Sequence, residues 1–326
     1  MSKDTHEFEW DQGVHLKGSV LWFDAERHNV MSLVSSARVD ESWRHKRAIC
    51  TERTRTLLRV SRNSFQALVS PYGRRISLGP LELTLLPSGF MPGSAQLLVE
   101  SDQGSTLLVN HMSFEEHPLA EKAQFVTADN LVLRVAYGRP DFSFPPFADV
   151  LELIVDRARE SLLRQETPVF LCSPLGKAQE VVRCLIQAGL NVSVHRNIAR
   201  FNKAYRGLGV DPGVARVFKG SPRFDEVLVY PERLRFSPAI RRLRHARLFW
   251  VSGLSCAPDA LARVKVDEGI PLAGHLDHAG LLHFVEISKA SRVFTVGGWA
   301  LEFADHLRKK GVDAVALQKD AQLALF

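Results

Sequence analysis

Between Glu232 and Asp259 the chain carries no acid, and Arg233-Leu234-Arg235-Phe236-Ser237-Pro238-Ala239-Ile240-Arg241-Arg242-Leu243-Arg244-His245-Ala246-Arg247 carries six arginines. Guanidinium forks take phosphate oxygens two at a time and lose little hydration in doing so, which suits them to a nucleic-acid backbone. The same residues would also serve as a solvated helix face paired with acids elsewhere, and the sequence leaves both readings open. A second run, Arg44-His45-Lys46-Arg47 with Arg53, Arg55, Arg59 and Arg62, is interrupted by Glu52 and reads as a surface helix. Ser173-Pro174-Leu175-Gly176-Lys177-Ala178-Gln179 falls between a strand pattern and a helix pattern, where free amides favour an anion. It lacks the GxxxxGK[ST] spacing of a nucleotide loop, so a plain turn competes with phosphate contact. Gly274-His275-Leu276-Asp277-His278 has the residue types of a metal or acid–base cluster, although histidines three apart at a helix start more often stay simply polar. Neither G-x-S-x-G nor G-x-G-x-x-G is present. Cys50, Cys172, Cys184 and Cys256 form no CxxC pair and read as small core residues.

Those residues must be held by about two domains, or by one large α/β unit with an insertion, because the chain has 326 residues. Hydrophobic residues at 45% and charged residues at 24% exclude wholesale disorder, and a net charge of +6 fits a polyanionic partner. The longest uncharged stretch, Leu83 to Val99, is broken by Pro87, Gly89, Pro92 and Gly93, which a membrane-spanning helix would not tolerate in series. The first ten residues lack the apolar core of a secretory leader, so the expected compartment is the cytoplasm.

Up to about Ala136 the pattern is of short strands: Ser19 to Phe23, Val30 to Val34, Phe65 to Val69, Leu81 to Leu86, Ala95 to Val99, Thr106 to Val109 and Leu131 to Val135. One helix is expected over Thr51 to Arg59, with Thr51 as its N-cap. The proline-rich segment 138–147 continues neither element and marks a boundary. Beyond it the period changes. Asp149 to Leu163 is helical, Val169 to Cys172 leads into a helix over Lys177 to Ala188 closed by Gly189, and strands and helices then alternate to Leu317, with one helix starting at Ser237 and Pro238.

An ordered series of blocks carries a further reading. Leu175-Gly176-Lys177-Ala178-Gln179, Val194-His195, Asn202-Lys203-Ala204-Tyr205-Arg206, Ser237-Pro238 with Arg241-Arg242, and Val251-Ser252-Gly253 come first. Val266-Asp267-Glu268-Gly269, Gly274-His275-Leu276-Asp277 and Gly280-Leu281-Leu282 follow. Together they resemble the short bacterial members of the metallo-β-lactamase-fold β-CASP nuclease family, the messenger-RNA 3′-end processing factors and ligase-associated exonucleases. The resemblance covers nearly the whole chain and is strongest from about 170 to 320. It implies an α/β protein, a metallo-β-lactamase αββα sandwich over 1–148 and 254–326 with an inserted Rossmann-like β-CASP domain over 149–253.

At the family's zinc site the chain departs from the pattern. Where the family has HxHxDH, the sequence reads Ser36-Ala37-Arg38-Val39-Asp40-Glu41, so that of this signature only Asp40 stays. By the same resemblance Phe90 stands for a metal histidine, His111 lies near the bridging aspartate, Arg134 replaces an acid ahead of Tyr137-Gly138, and Gly297 replaces the last histidine. His275 matches the histidine that serves the family as a general acid. The expectation is a nuclease-like protein whose zinc is lost, with no metal and no catalytic residues, that binds nucleic acid, scaffolds a DNA-repair or RNA-processing complex, or both. Arg38 or Arg134 would pair with Asp40 or Glu41, and Lys177, Arg241, Arg242 and Arg244 would contact nucleic acid, DNA or RNA. A ligase, a helicase or an active nuclease would be its protein partner. The alternatives are a hydrolase with one metal among His111, His275, Asp40 and Glu41, and a subunit that binds only proteins.

Overall fold

The computed structural model describes residues 6–38, 45, 47–62, 65–116, 118–258 and 260–317. Contacts divide the chain into two units, 1–140 with 275–326, and 141–274.

Six short strands, β1 (Phe8–Trp10), β2 (Val14–Leu16), β3 (Leu21–Phe23), β4 (Met31–Leu33), β5 (Arg47–Cys50) and β6 (Leu68–Val69), pair in sequence order as the first sheet. Strands this short are held by what they bury. Phe8, Val14, Leu16, Leu21, Phe23, Leu33 and Ile49 enter one cluster, and each such side chain contributes roughly 1.5–3 kcal/mol when fully buried. Between β5 and β6 runs α1 (Glu52–Ser61), started by Thr51, whose hydroxyl accepts from the Thr54 amide at 3.2 Å. Arg55 pairs with Glu52 and Arg53 with Glu121 at 2.9 Å, so this basic run is largely a paired helix surface.

The second sheet begins with β7 (Arg75–Leu78), β8 (Leu81–Pro87), β9 (Ala95–Ser101) and β10 (Gly104–Val109), an antiparallel meander, and turns parallel at β11 (Asn130–Arg134). There the chain leaves for the second unit.

That unit opens with α2 (Phe147–Leu163) and continues β12 (Thr167–Cys172), α3 (Lys177–Gln187), β13 (Asn191–Val194), α4 (Arg196–Gly207), β14 (Arg216–Val217), β15 (Glu226–Pro231), α5 (Pro238–Arg241), β16 (Ala246–Val251), α6 (Ala260–Val264) and β17 (Glu268–Ile270). Its six strands are all parallel, in the order β14-β13-β15-β12-β16-β17. Alternate residues divide its faces: Phe170, Val227, Val229 and Phe249 pack with α2, α3 and α4, while Val169, Leu171, Leu228 and Tyr230 pack with Ile240 of α5. By contacts this unit runs over 141–274, where the resemblance implied 149–253. Val150, Ile154 and Ala158 of α2 belong to its core, and β17, an inconspicuous Glu-Gly-Ile after residue 253, pairs with β16. The helix expected from Ser237 is a single turn that ends at Arg241, and His245, at a left-handed φ of 52°, then leads the chain into β16.

Back in the first unit, α7 (His278–Ser288), β18 (Arg292–Val296), α8 (Ala300–Lys309) and β19 (Asp313–Ala316) complete the seven-stranded order β19-β18-β11-β10-β9-β8-β7. Leu83, Leu97, Leu108, Val132 and Phe294 face the first sheet, whereas Leu107, Leu131, Leu133 and Val293 meet Phe284 of α7 and Phe303 of α8. The two sheets therefore pack face to face, with α7 and α8 outside the second. Among the described residues no helix is long and apolar enough to cross a membrane.

Candidate functional site

Strands β8, β10, β11 and β18 of the first unit run in one direction, so the residues that follow them gather at one sheet edge. Phe90, after β8, is buried, and its ring stacks on His111 at 4.6 Å and 12° and on His275 at 4.7 Å and 19°. The two imidazoles lie 4.7 Å apart, so the three rings are mutual neighbours. Arg38, beyond β4, closes the group: its Nη1 donates to His275 Nε2 at 3.4 Å and its guanidinium carbon lies 5.9 Å from the Phe90 ring centre. Desolvation, then the charges of Arg38 and Arg134, hold His111 well below the usual imidazole pKa, so that ring stays neutral.

Asn110, which precedes His111, leads to a carboxylate not singled out from the sequence. Asp24, after β3, accepts from the Ser35 amide at 2.7 Å, from the Ser35 hydroxyl and from Asn110 Nδ2 at 2.6 Å. Desolvation pushes its pKa up, and the Ser35 and Asn110 hydrogen bonds and the Arg134 charge pull it back. Asp24, Asn110 and Arg134 line a small cavity with Trp10 and Phe23. The only sequence signal was an aspartate closing a strand, here at a φ of 46° that Asp and Asn tolerate better than most residues.

The other expected positions have separate fates. Ser36 is fully buried, and its hydroxyl has no hydrogen-bond partner among the described residues. Asp40 and Glu41 lie outside the described residues, and so does the expected pairing of Arg38 or Arg134 with them. Arg38 engages His275 and Phe90, while Arg134 acts on Asp24 and His111. At Gly297, φ is +103° and an added Cβ would come within 3.2 Å of the Val135 carbonyl oxygen, so the backbone itself requires glycine. The 274–278 cluster disperses. Asp277 caps α7 by accepting from the Gly280 amide at 2.8 Å, His278 is buried with Nδ1 3.1 Å from the Gly138 carbonyl oxygen, and only His275 joins the rings.

In the second unit Lys177, expected at a nucleic-acid contact, is buried and its Nζ donates to the Val251 carbonyl at 3.2 Å. The turn before it is closed from within: Gln179 Oε1 accepts from the Gly176 amide at 2.7 Å, and Gln179 Nε2 donates to Asn202 at 2.9 Å, which ties two of the sequence blocks together. The plain-turn reading describes it. Of the six arginines, Arg235 donates to the Val264 carbonyl at 2.9 Å and Arg247 pairs with Glu268 at 3.1 Å. Arg233, Arg241, Arg242 and Arg244 are exposed and make no ion pair among the described residues. Sequence reasoning missed a second basic surface, Arg196, Arg200 and Lys203, exposed along α4 at i, i+4 and i+7. Its signal was a 12-residue helix without an acid.

No protein-family model matches the chain. Over 322 residues, 98% of its length, it is 31% identical to the Probable DNA ligase of Opitutus terrae, of which the match covers 32%. Over 141 residues, 42% of its length, it is 25% identical to RNase aCSPSF2 of Saccharolobus solfataricus, of which the match covers 28%. The chain thus spans about a third of the length of the curated relatives it matches.

Proposed function

We propose that the chain is a nucleic-acid-binding module with a metallo-β-lactamase-like body and a β-CASP-like second unit, without a catalytic zinc pair, and that it serves alongside a DNA-joining enzyme. The layering of two facing sheets with outer helices, the parallel α/β second unit and the similarity to RNase aCSPSF2 support the fold. Similarity along nearly the whole chain to a third of a protein named as a DNA ligase supports the partner.

The observation that carries the reading is the ring cluster. Tetrahedral zinc takes three or four nitrogen, oxygen or sulfur ligands. At the corresponding edge Phe90 packs its ring against both imidazoles, and Arg38 brings a fixed positive charge to the Nε2 lone pair of His275. Such residues do not fit a pair of dications, which a guanidinium at this range repels. The contact between His111 and His275 favours one competing reading, a single-metal hydrolase. Elemental analysis of protein grown with excess zinc, manganese and iron decides between them. Well under one ion per chain is the expected result. About one ion per chain, lost on His275→Ala, would establish the single-metal site. Salt-sensitive binding of DNA by the same preparation is expected in either case, and its absence would leave a protein-interaction subunit.

A further inference from the structure

The outward side of the turn from Glu232 to Arg244 holds something that a merely solvated basic face does not need. Leu234, Ala239, Ile240 and Leu243 anchor this segment on the core of β12 and β15. Arg233, Arg241, Arg242 and Arg244 are exposed, and the same short segment of chain carries Phe236, an aromatic ring with 45% of its surface exposed. Its burial would have been favourable, whereas Ile240 is buried and Leu234, Ala239 and Leu243 are partly so. The ring is nevertheless held in place: Arg235, fixed by the Val264 carbonyl at 2.9 Å and the Glu232 carbonyl at 3.2 Å, sets its guanidinium 4.6 Å from the ring centre.

We propose that this turn is a docking surface for single-stranded DNA, with Phe236 stacked on one base and Arg233, Arg241, Arg242 and Arg244 meeting the phosphates around it. The inference rests on the nucleic-acid-binding reading above and adds strandedness to it. In a duplex each base is already stacked on its neighbours, whereas a single strand offers base faces to an aromatic side chain at every step. Stacking of this kind is tolerant of sequence, because every base has a π face. DNA rather than RNA is the choice that the chain-long similarity to a protein named as a DNA ligase supports.

Fluorescence anisotropy with a labelled thymidine oligomer, a duplex of the same length and a uridine oligomer tests this on the full chain across a salt series. The parent is expected to prefer the thymidine strand over the duplex by about tenfold or more, the scale of one base–aromatic stack. Phe236→Ala is expected to remove most of that preference while leaving the salt slope and the melting temperature unchanged, and Phe236→Trp to retain it. Equal affinity of the parent for strand and duplex overturns the inference and leaves the broader reading standing. Unchanged single-strand affinity in Phe236→Ala overturns the role of the ring. Tighter binding of the uridine oligomer overturns the choice of DNA. Binding of none of the three overturns the broader reading together with this one.

Discussion

Arginine does opposite work in the two units. Arg38 and Arg134 of the first are half-buried, and each acts on a particular neighbour, a histidine ring or a carboxylate. Arg241, Arg242 and Arg244 of the second stand in solvent without an ion pair among the described residues. In a poorly hydrated setting one guanidinium fixes the protonation of its neighbours, so the first pair belongs to the integrity of the fold. At the surface the same charge adds little to stability. Charge density along the sequence therefore ranks these two settings the wrong way for stability.

The contrast is broken most severely at the exposed end. Arg241→Ala, Arg242→Ala and Arg244→Ala together should weaken DNA binding by about a hundredfold at moderate salt and flatten the log–log salt slope by about three units. Melting should shift by no more than about 0.5 kcal/mol equivalent. Unaltered binding by a folded triple variant would return these residues to the role of a solvated face. Lys177→Met should do the reverse, removing about 1–3 kcal/mol of stability in urea titration through the unpaired Val251 carbonyl while leaving the salt slope alone.

A graded effect is expected at Asp24. Asp24→Leu leaves the Ser35 and Asn110 donors unpaired and should cost about 3 kcal/mol, whereas Asp24→Asn keeps the left-handed backbone and should cost about 1. Equal losses would mean that shape rather than hydrogen bonding governs this corner. The smallest effect concerns pH. The folded pKa of His111 lies below its unfolded value, so the unfolded chain binds the extra proton first as the pH falls below about 6.5. Stability present above that value is therefore lost on the acid side. His111→Leu should lose about 1 kcal/mol less than the parent between about pH 7.5 and 5.5. Parallel melting profiles for the two proteins would place the acid sensitivity elsewhere.

What the sequence made legible is what repeats. Period-2 runs such as Leu81 to Leu86 and the capped helix at Thr51 appear where their patterns place them, because each buries a face that the pattern itself defines. The three-residue β17 was beyond reach, since it is too short to show a period and is fixed by pairing with β16, and α5 was legible in its start at Ser237 and Pro238 but not in its single-turn length. At the candidate site the resemblance pointed to Phe90, His111 and His275, which do meet. It did not reveal that the third member would be a phenyl ring stacked on the other two, nor that Arg134 would act on Asp24, 110 positions away in the chain (134 − 24). Lys177 misled because a lysine after a glycine turn looks the same whether its amine reaches solvent or a backbone carbonyl.

Gly297 makes this sheet edge intolerant of sequence change. The main chain has settled into a left-handed turn against the Val135 carbonyl, where any side chain is crowded. A side chain introduced at that point would meet a backbone that must first be rebuilt, beside an edge where Phe90 already packs on two rings. Variation in this unit is thereby steered away from that corner and toward its exposed positions.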